Sequence, residues 1–268
     1  MRRLATVGIL TIAVTALGAG AVLAAEGESR LTIIHAIPGE GGFPADIYLD
    51  GDLVVEEMTF GNVTETAIVA SGPHDVAIYP DGANPDAEDP ALAAEVDLAD
   101  GADATVVAGL TNLGDPTLAV YVNNADPVGA GEARIVLRHQ AQAPAVDLLV
   151  NGEPVALEVA NGDEAAAEVE AGPITLALVP SAEGEGDLFQ TDVDLSEGSA
   201  FLIYGIGSVE GGSFDVAVQQ VLGLQTPPEG IPTGTGGAAA DGMPLWLLVT
   251  MGLALAVGSL AVARLVRR

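Results

Sequence analysis

The chain has 268 residues, 49% of them hydrophobic but only 4% aromatic, with 38 acidic side chains against eight arginines and no lysine. All 38 acids lie between Glu26 and Asp241, where only Arg30, Arg134 and Arg138 oppose them, and the resulting net charge of −35 excludes nucleic acid or anionic lipid as a partner held through phosphate contacts. No cysteine is present, which excludes disulfides, thiolate metal sites and a cysteine nucleophile, so the chain must be held together by its core.

In chain order, residues 1–25 place Arg2 and Arg3 before an uncharged apolar run that ends in small residues, the layout of a secretory signal peptide. Residues 30–126 then hold short apolar runs, often alternating, bounded by Gly, Pro, Asp and Asn. This pattern predicts strands near 31–36, 45–50, 53–57, 64–70, 74–79, 92–98, 104–110 and 117–122. No long segment has a 3.6-residue period, and the prolines of "PDAEDPALAAEV" limit any helix there to about a turn.

Residues 134–222 repeat this skeleton. "RLTIIH" at 30–35 answers "RIVLRH" at 134–139, "ADIYLDG" at 45–51 answers "VDLLVNG" at 146–152, "GPHDVAIYP" at 72–80 answers "GPITLALVP" at 172–180, and "VDLADG" at 96–101 answers "VDLSEG" at 193–198. The order holds while the offset drifts from 104 to 97, as duplicated domains diverge through loop deletions. The expectation is therefore an all-β protein of two tandem immunoglobulin-like antiparallel β-sandwich domains.

Residues 223–242 are rich in Gly, Pro, Thr and Ala and read as a stalk. Residues 243–263 carry no charge and are long enough, at about 1.5 Å per residue, to cross a bilayer core of about 30 Å as one helix. Residues 264–268 hold three arginines that favour the cytoplasmic side. The expected location is the cell membrane, single-pass, with the N-terminal region outside. Cell-wall anchoring is the alternative, because "IPTGTGG" is a degenerate form of the L-P-x-T-G sorting signal.

Candidate chemistry is weighed against the repeat. Period two places Leu31, Ile33 and His35 on one strand face and Ile135, Leu137 and His139 on its counterpart, so both histidines end a core-facing row. No metal partner recurs, since Glu40 has only Gln140 or Gln142 opposite it. Asp46, Asp50 and Asp52 lack calcium-loop spacing, and their counterparts are Asp147, Asn151 and Glu153. The exchange of Asp-Gly for Asn-Gly suits a hairpin turn and would weaken a ligand sphere. Asp46 and Asp147 precede apolar strands and are placed to cap backbone amides. His74 falls where the second repeat has Ile174, and Ser208 lacks the glycines of a nucleophile elbow. No catalytic, cofactor-binding or metal residue is assigned, and no cofactor is expected.

Taken together, "IIHAIP", "PADIYLDG" and "SGPHDVAIYP", with "VLRHQAQAPAVDLLVNG" and "AGPITLALVP", resemble the bacterial surface repeat known as domain of unknown function 4397, in two copies. The resemblance implies a β-sandwich on exported, often membrane- or wall-attached bacterial proteins, and implies no reaction. The reading that follows is a non-enzymatic cell-surface protein whose acidic sandwiches serve binding, adhesion or envelope structure, with an unidentified protein or cell-wall partner. The alternatives are an exported hydrolase with paired carboxylates in a cleft between the repeats, and a spacer stiffened by weakly bound calcium or another divalent cation.

Overall fold

The computed structural model describes residues 27–39, 44–182 and 186–225. The expected signal peptide, stalk, membrane helix and basic tail lie outside these residues. Among the described residues no helix is long and apolar enough to cross a membrane. Contacts divide the chain into 1–226 and 227–268, and every described residue belongs to the first unit.

The described residues form sixteen strands. The first eight are β1 (Glu28–His35), β2 (Ala45–Leu49), β3 (Asp52–Met58), β4 (Ala67–Ala70), β5 (Gly72–Pro80), β6 (Leu92–Leu98), β7 (Asp103–Leu110) and β8 (Pro116–Val122). The second eight are β9 (Glu132–His139), β10 (Val146–Val150), β11 (Glu153–Val159), β12 (Glu164–Glu170), β13 (Gly172–Pro180), β14 (Phe189–Leu195), β15 (Ser199–Ile206) and β16 (Asp215–Leu222). Every strand expected in the first half is present, displaced at its ends by at most three residues.

The sheet orders are β4-β1-β7-β8 and β3-β2-β5-β6 in the first half, repeated as β12-β9-β15-β16 and β11-β10-β13-β14 in the second. In each half the two sheets pack face to face. Leu31, Ile33, Val106 and Ala108 of one sheet meet Ile47, Val76, Ile78 and Val96 of the other, and Ile135, Leu137 and Ile203 meet Leu148, Leu176, Leu178 and Leu195.

One expectation is corrected: the sandwiches are not wholly antiparallel. β1 runs parallel to β7, with Ile33 opposite Val106, and β9 runs parallel to β15, with Leu137 opposite Ile203. After β1 the chain enters the facing sheet as β2 and β3, returns to pair antiparallel with β1 as β4, crosses again for β5 and β6, and only then reaches the other edge of β1 as β7. A pairing between strands so distant in sequence leaves no local mark.

The Asp-Gly and Asn-Gly turns behave as their composition requires. Asp50 and Gly51 have φ of 53° and 86°, and Asn151 and Gly152 have 52° and 83°, the left-handed pair of a tight hairpin. Each hairpin also contains an irregularity in register, between Ala45 and Tyr48 and between Val146 and Leu149. Opposite it Glu57 and Glu158 both adopt φ of 53°, which non-glycine residues reach at a cost. The conserved geometry has a partner: an Asp46 carboxylate oxygen accepts the Glu57 N–H at 3.0 Å, and Asp147 accepts the Glu158 N–H at 2.8 Å and the Ser181 hydroxyl at 2.5 Å. These two aspartates therefore hold kinked hairpins.

The two sandwiches are joined by a third hydrophobic cluster. Ile34, Ala36 and Val107 from the first pack against Val136, Leu202, Tyr204 and Ile206 from the second. As a result β7, β9 and most of β1 and β15 are buried on both faces. Asp46→Ala and Asp147→Ala are each expected to lower the stability of the folded region by about 1–3 kcal/mol, the cost of an unsatisfied amide at a strained position. Thermal unfolding measures it, and the Asp147 variant should lose more because two donors are stranded.

Candidate functional site

The histidines sit at strand ends, on the core-facing rows. His35 and His139 are 1% and 0% exposed. The Nε2–H of His139 donates to the Pro144 carbonyl at 2.9 Å, and the Ala141 N–H donates to Nδ1 at 3.4 Å, so the ring is neutral; burial pulls its pKa below the ordinary imidazole value. The ring shapes the loop that follows, residues 140–145, which is the expected structural role.

His74 makes two contacts that sequence reasoning missed. Nδ1 lies 2.7 Å from Asp50 Oδ2, and Nε2 lies 2.7 Å from the Ala70 carbonyl. The ring thereby links the β2–β3 hairpin to β4. The His74 hydrogen bond is the main reason the Asp50 carboxyl falls below its ordinary value, with the Asp75 N–H adding to it. In the second sandwich Asn151 accepts the Thr175 N–H at 2.9 Å and Ile174 stands in place of the ring, so the turn survives without the charge.

The space between the repeats, where the hydrolase alternative would need a cleft, is a packed seam with a polar chain through it. Arg138, 1% exposed, donates from Nε to Glu164 at 2.6 Å, and from Nη1 to Asn123 at 2.7 Å and the Tyr204 hydroxyl at 2.6 Å. Its guanidinium carbon lies 4.4 Å from the Tyr121 ring centre and 5.4 Å from that of Tyr204. The Tyr204 hydroxyl donates to the Gln219 carbonyl at 2.9 Å, which also accepts Thr105 at 2.9 Å, while the Gln219 amide donates to Thr32 at 3.1 Å. Burial pushes the phenols of Tyr121 and Tyr204 above their usual range, which keeps both neutral. Arg134 completes the seam, bonding the Asn124 and Asp126 carbonyls at 3.1 and 3.2 Å and Glu168 at 2.9 Å. Two of the three arginines of the acidic region thus sit inside the joint. The run "RIVLRH" contained the signal, two charges within an otherwise apolar strand.

The surface offers open grooves. One of about 480 Å³ is lined by Asn112 of the first sandwich and by Gln142, Pro144, Asn161, Val209 and Glu210 of the second. The Asn161 amide bonds the Leu110 and Ala141 carbonyls at 2.8 and 2.7 Å, and Gln142 accepts the Ser208 hydroxyl at 2.8 Å, so the walls are held in place. Ser208 is thereby a loop fastener. A second groove, about 440 Å³, runs past Asn151, Ile174, Asp192 and Asp194, with Asp192 engaged by the Thr175 hydroxyl at 2.7 Å. Among the described residues no group of three or more His, Asp or Glu is placed to hold a metal ion.

This is a pair of β-sandwiches fused through one buried joint. Residues 29–149 match the family model described as Domain of unknown function (DUF4397), a single match that covers the first sandwich and runs into β10. No curated protein matches the chain. Solved structures that match the chain include the Bacillus anthracis TIE protein, at 11% identity and a TM-score of 0.22, covering 68% of this chain and 34% of that one. A structure titled alpha-glucan binding by a streptococcal virulence factor is 10% identical with a TM-score of 0.23, covering 70% and 97%. A putative cell adhesion protein from Bacteroides uniformis is 15% identical with a TM-score of 0.22, covering 72% and 98%. This chain therefore spans about a third of the length of the first.

Two outcomes are expected. Arg138→Ala should cost about 3–5 kcal/mol in thermal or denaturant unfolding, because Glu164, Asn123 and Tyr204 all lose a donor; Arg138→Lys should recover little of it, since a compact ammonium cannot bond three acceptors and stack on a ring at once. For His74→Ile, the Asp50 carboxyl should titrate nearer its ordinary value by NMR. The sign follows from a lowered folded-state pKa: the His74–Asp50 contribution is present at neutral pH and fades as pH falls through the lowered value.

Proposed function

We propose that the protein is a non-enzymatic cell-surface protein. Residues 243–263 anchor it, residues 1–25 are removed on export, and the sandwiches stand outside the membrane on the stalk. The second sandwich is a further copy of the DUF4397 domain, and each is an immunoglobulin-like variant with a parallel pair at its centre.

The observation that carries the reading is the groove beside the seam. Loops from both sandwiches build it, including residues 142–145, the counterpart of the loop after His35. Its walls include the side-chain amides of Asn161, fastened to two backbone carbonyls, and Gln142, fastened to the Ser208 hydroxyl, which suit an uncharged or cationic polar partner in so negative a field. The space between the repeats, where a hydrolase with paired carboxylates would need its cleft, is occupied by Tyr204, Leu202, Val136 and Ile34.

The test is retention of the purified full-length chain, in detergent, on cell-wall and envelope fractions. We expect specific retention that falls at least severalfold for the exposed-position variants Asn112→Ala and Glu210→Ala. Retention on no fraction overturns the binding reading.

A further inference from the structure

The seam has a symmetry that neither sandwich shows alone. His35 pairs with Ala108 across β1 and β7, and His139 pairs with Gly205 across β9 and β15, so Ala36 corresponds to Gln140 and Leu110 to Gly207. Two backbone hydrogen bonds cross the seam at those positions: Leu110 N–H to the Gln140 carbonyl at 3.1 Å, and Gly207 N–H to the Ala36 carbonyl at 3.3 Å. Each is the image of the other when the two sandwiches exchange places.

The side chains follow the same rule. Thr32 and Ile34 of β1, Thr105 and Val107 of β7 and Tyr121 of β8 occupy the positions that Val136 and Arg138 of β9, Leu202 and Tyr204 of β15 and Gln219 of β16 occupy opposite them. Arg134 reaches the chain just past β8, at Asn124 and Asp126, while its counterpart Arg30 lines a small groove with Gln220 and Leu222 at the end of β16. The joint is therefore isologous: the same face of each sandwich, turned on itself, as in a two-fold homodimer.

A self-complementary face does not distinguish a neighbour on its own chain from one on another. Only the linker after β8 makes the observed pairing intramolecular, by raising the local concentration of one partner. We propose that the seam is a self-pairing surface through which two copies of this chain join. In the joined form the first sandwich of each copy seats on the second sandwich of the other and remakes the Arg138–Asn123, Gln219–Thr105 and Leu110–Gln140 bonds. Residues 27–126 hold 19 acids against one arginine, and residues 127–225 hold 16 against two. Like charge on both partners opposes the union, so salt strengthens it by screening. This inference goes beyond the proposed binding function and does not depend on it, since self-pairing is read on purified protein without wall material.

The test uses the full-length chain in detergent, in two differently tagged versions, each with a protease site inserted at Ala130 in the linker. After cleavage the halves are expected to remain together on size exclusion and, once the two preparations are mixed, to appear in cross-tagged pairs. Cross-tag capture should rise severalfold from low to high ionic strength. Arg138→Glu in the second sandwich and, separately, Thr105→Arg in the first should abolish it, with circular dichroism showing that the strands persist. Cut halves that separate at every ionic strength overturn the proposal, as do halves that stay together but never exchange tags.

Discussion

The buried guanidinium of Arg138 is the constraint on which the arrangement depends. A cation with 1% exposure is tolerated only when it is paired and hydrogen-bonded, and here Glu164 accepts from Nε, Asn123 and Tyr204 accept from Nη1, and the rings of Tyr121 and Tyr204 lie beside the guanidinium. Asn123 and Tyr121 come from the first sandwich, Glu164 and Tyr204 from the second. Satisfying one residue therefore sets the two bodies in a single relation. The apolar contacts around it, Ile34, Val107, Leu202 and Ile206, favour closure without regard to angle; the polar chain through Gln219, Thr105 and Thr32 selects the angle.

The duplication acts as a built-in mutational series. Kept in both copies are the buried histidine at the end of the first strand, the aspartate that accepts a backbone amide on the kinked hairpin, and the small left-handed turn. Changed between the copies are the positions at which each sandwich meets the other: Ile34 against Arg138, Val107 against Tyr204, Tyr121 against Gln219. Two identical faces would bury two arginines or none. Divergence lets one side supply the charge and the other the acceptors, which is how an isologous surface becomes specific without losing its symmetry of backbone. His74 and Ile174 differ for a separate reason, since that position ties the hairpin of one sandwich to its own opposite sheet.

How legible all this was differs by element. Strands were readable because alternation of apolar and polar residues is local, and the hairpins because Asp-Gly and Asn-Gly have few other uses. Asp46 and Asp147 were recognisable as amide caps, although the amide they cap, eleven residues away in each copy, was not. The seam was missed. In "TIIH" and "ATVVAGL" the second face is also apolar or small, the usual mark of a strand buried on both sides, but one apolar face already accounted for a sandwich. The sequence assigned no role to Arg138 or to His74, since each takes its role from residues brought to it by folding: Asn123 and Tyr204 for the first, Asp50 and Ala70 for the second.

The sequence by itself determined the all-β class, the approximate places of the strands in the first half, the repeated skeleton and the acidity of the chain, because each follows from residue type and short-range spacing. Tertiary structure alone decided that β1 lies parallel to β7, that two arginines in a strongly acidic region turn inward, and that two domains are one body. These outcomes depend on which surfaces meet, and a strand carries no record of its second neighbour until the chain has folded against it.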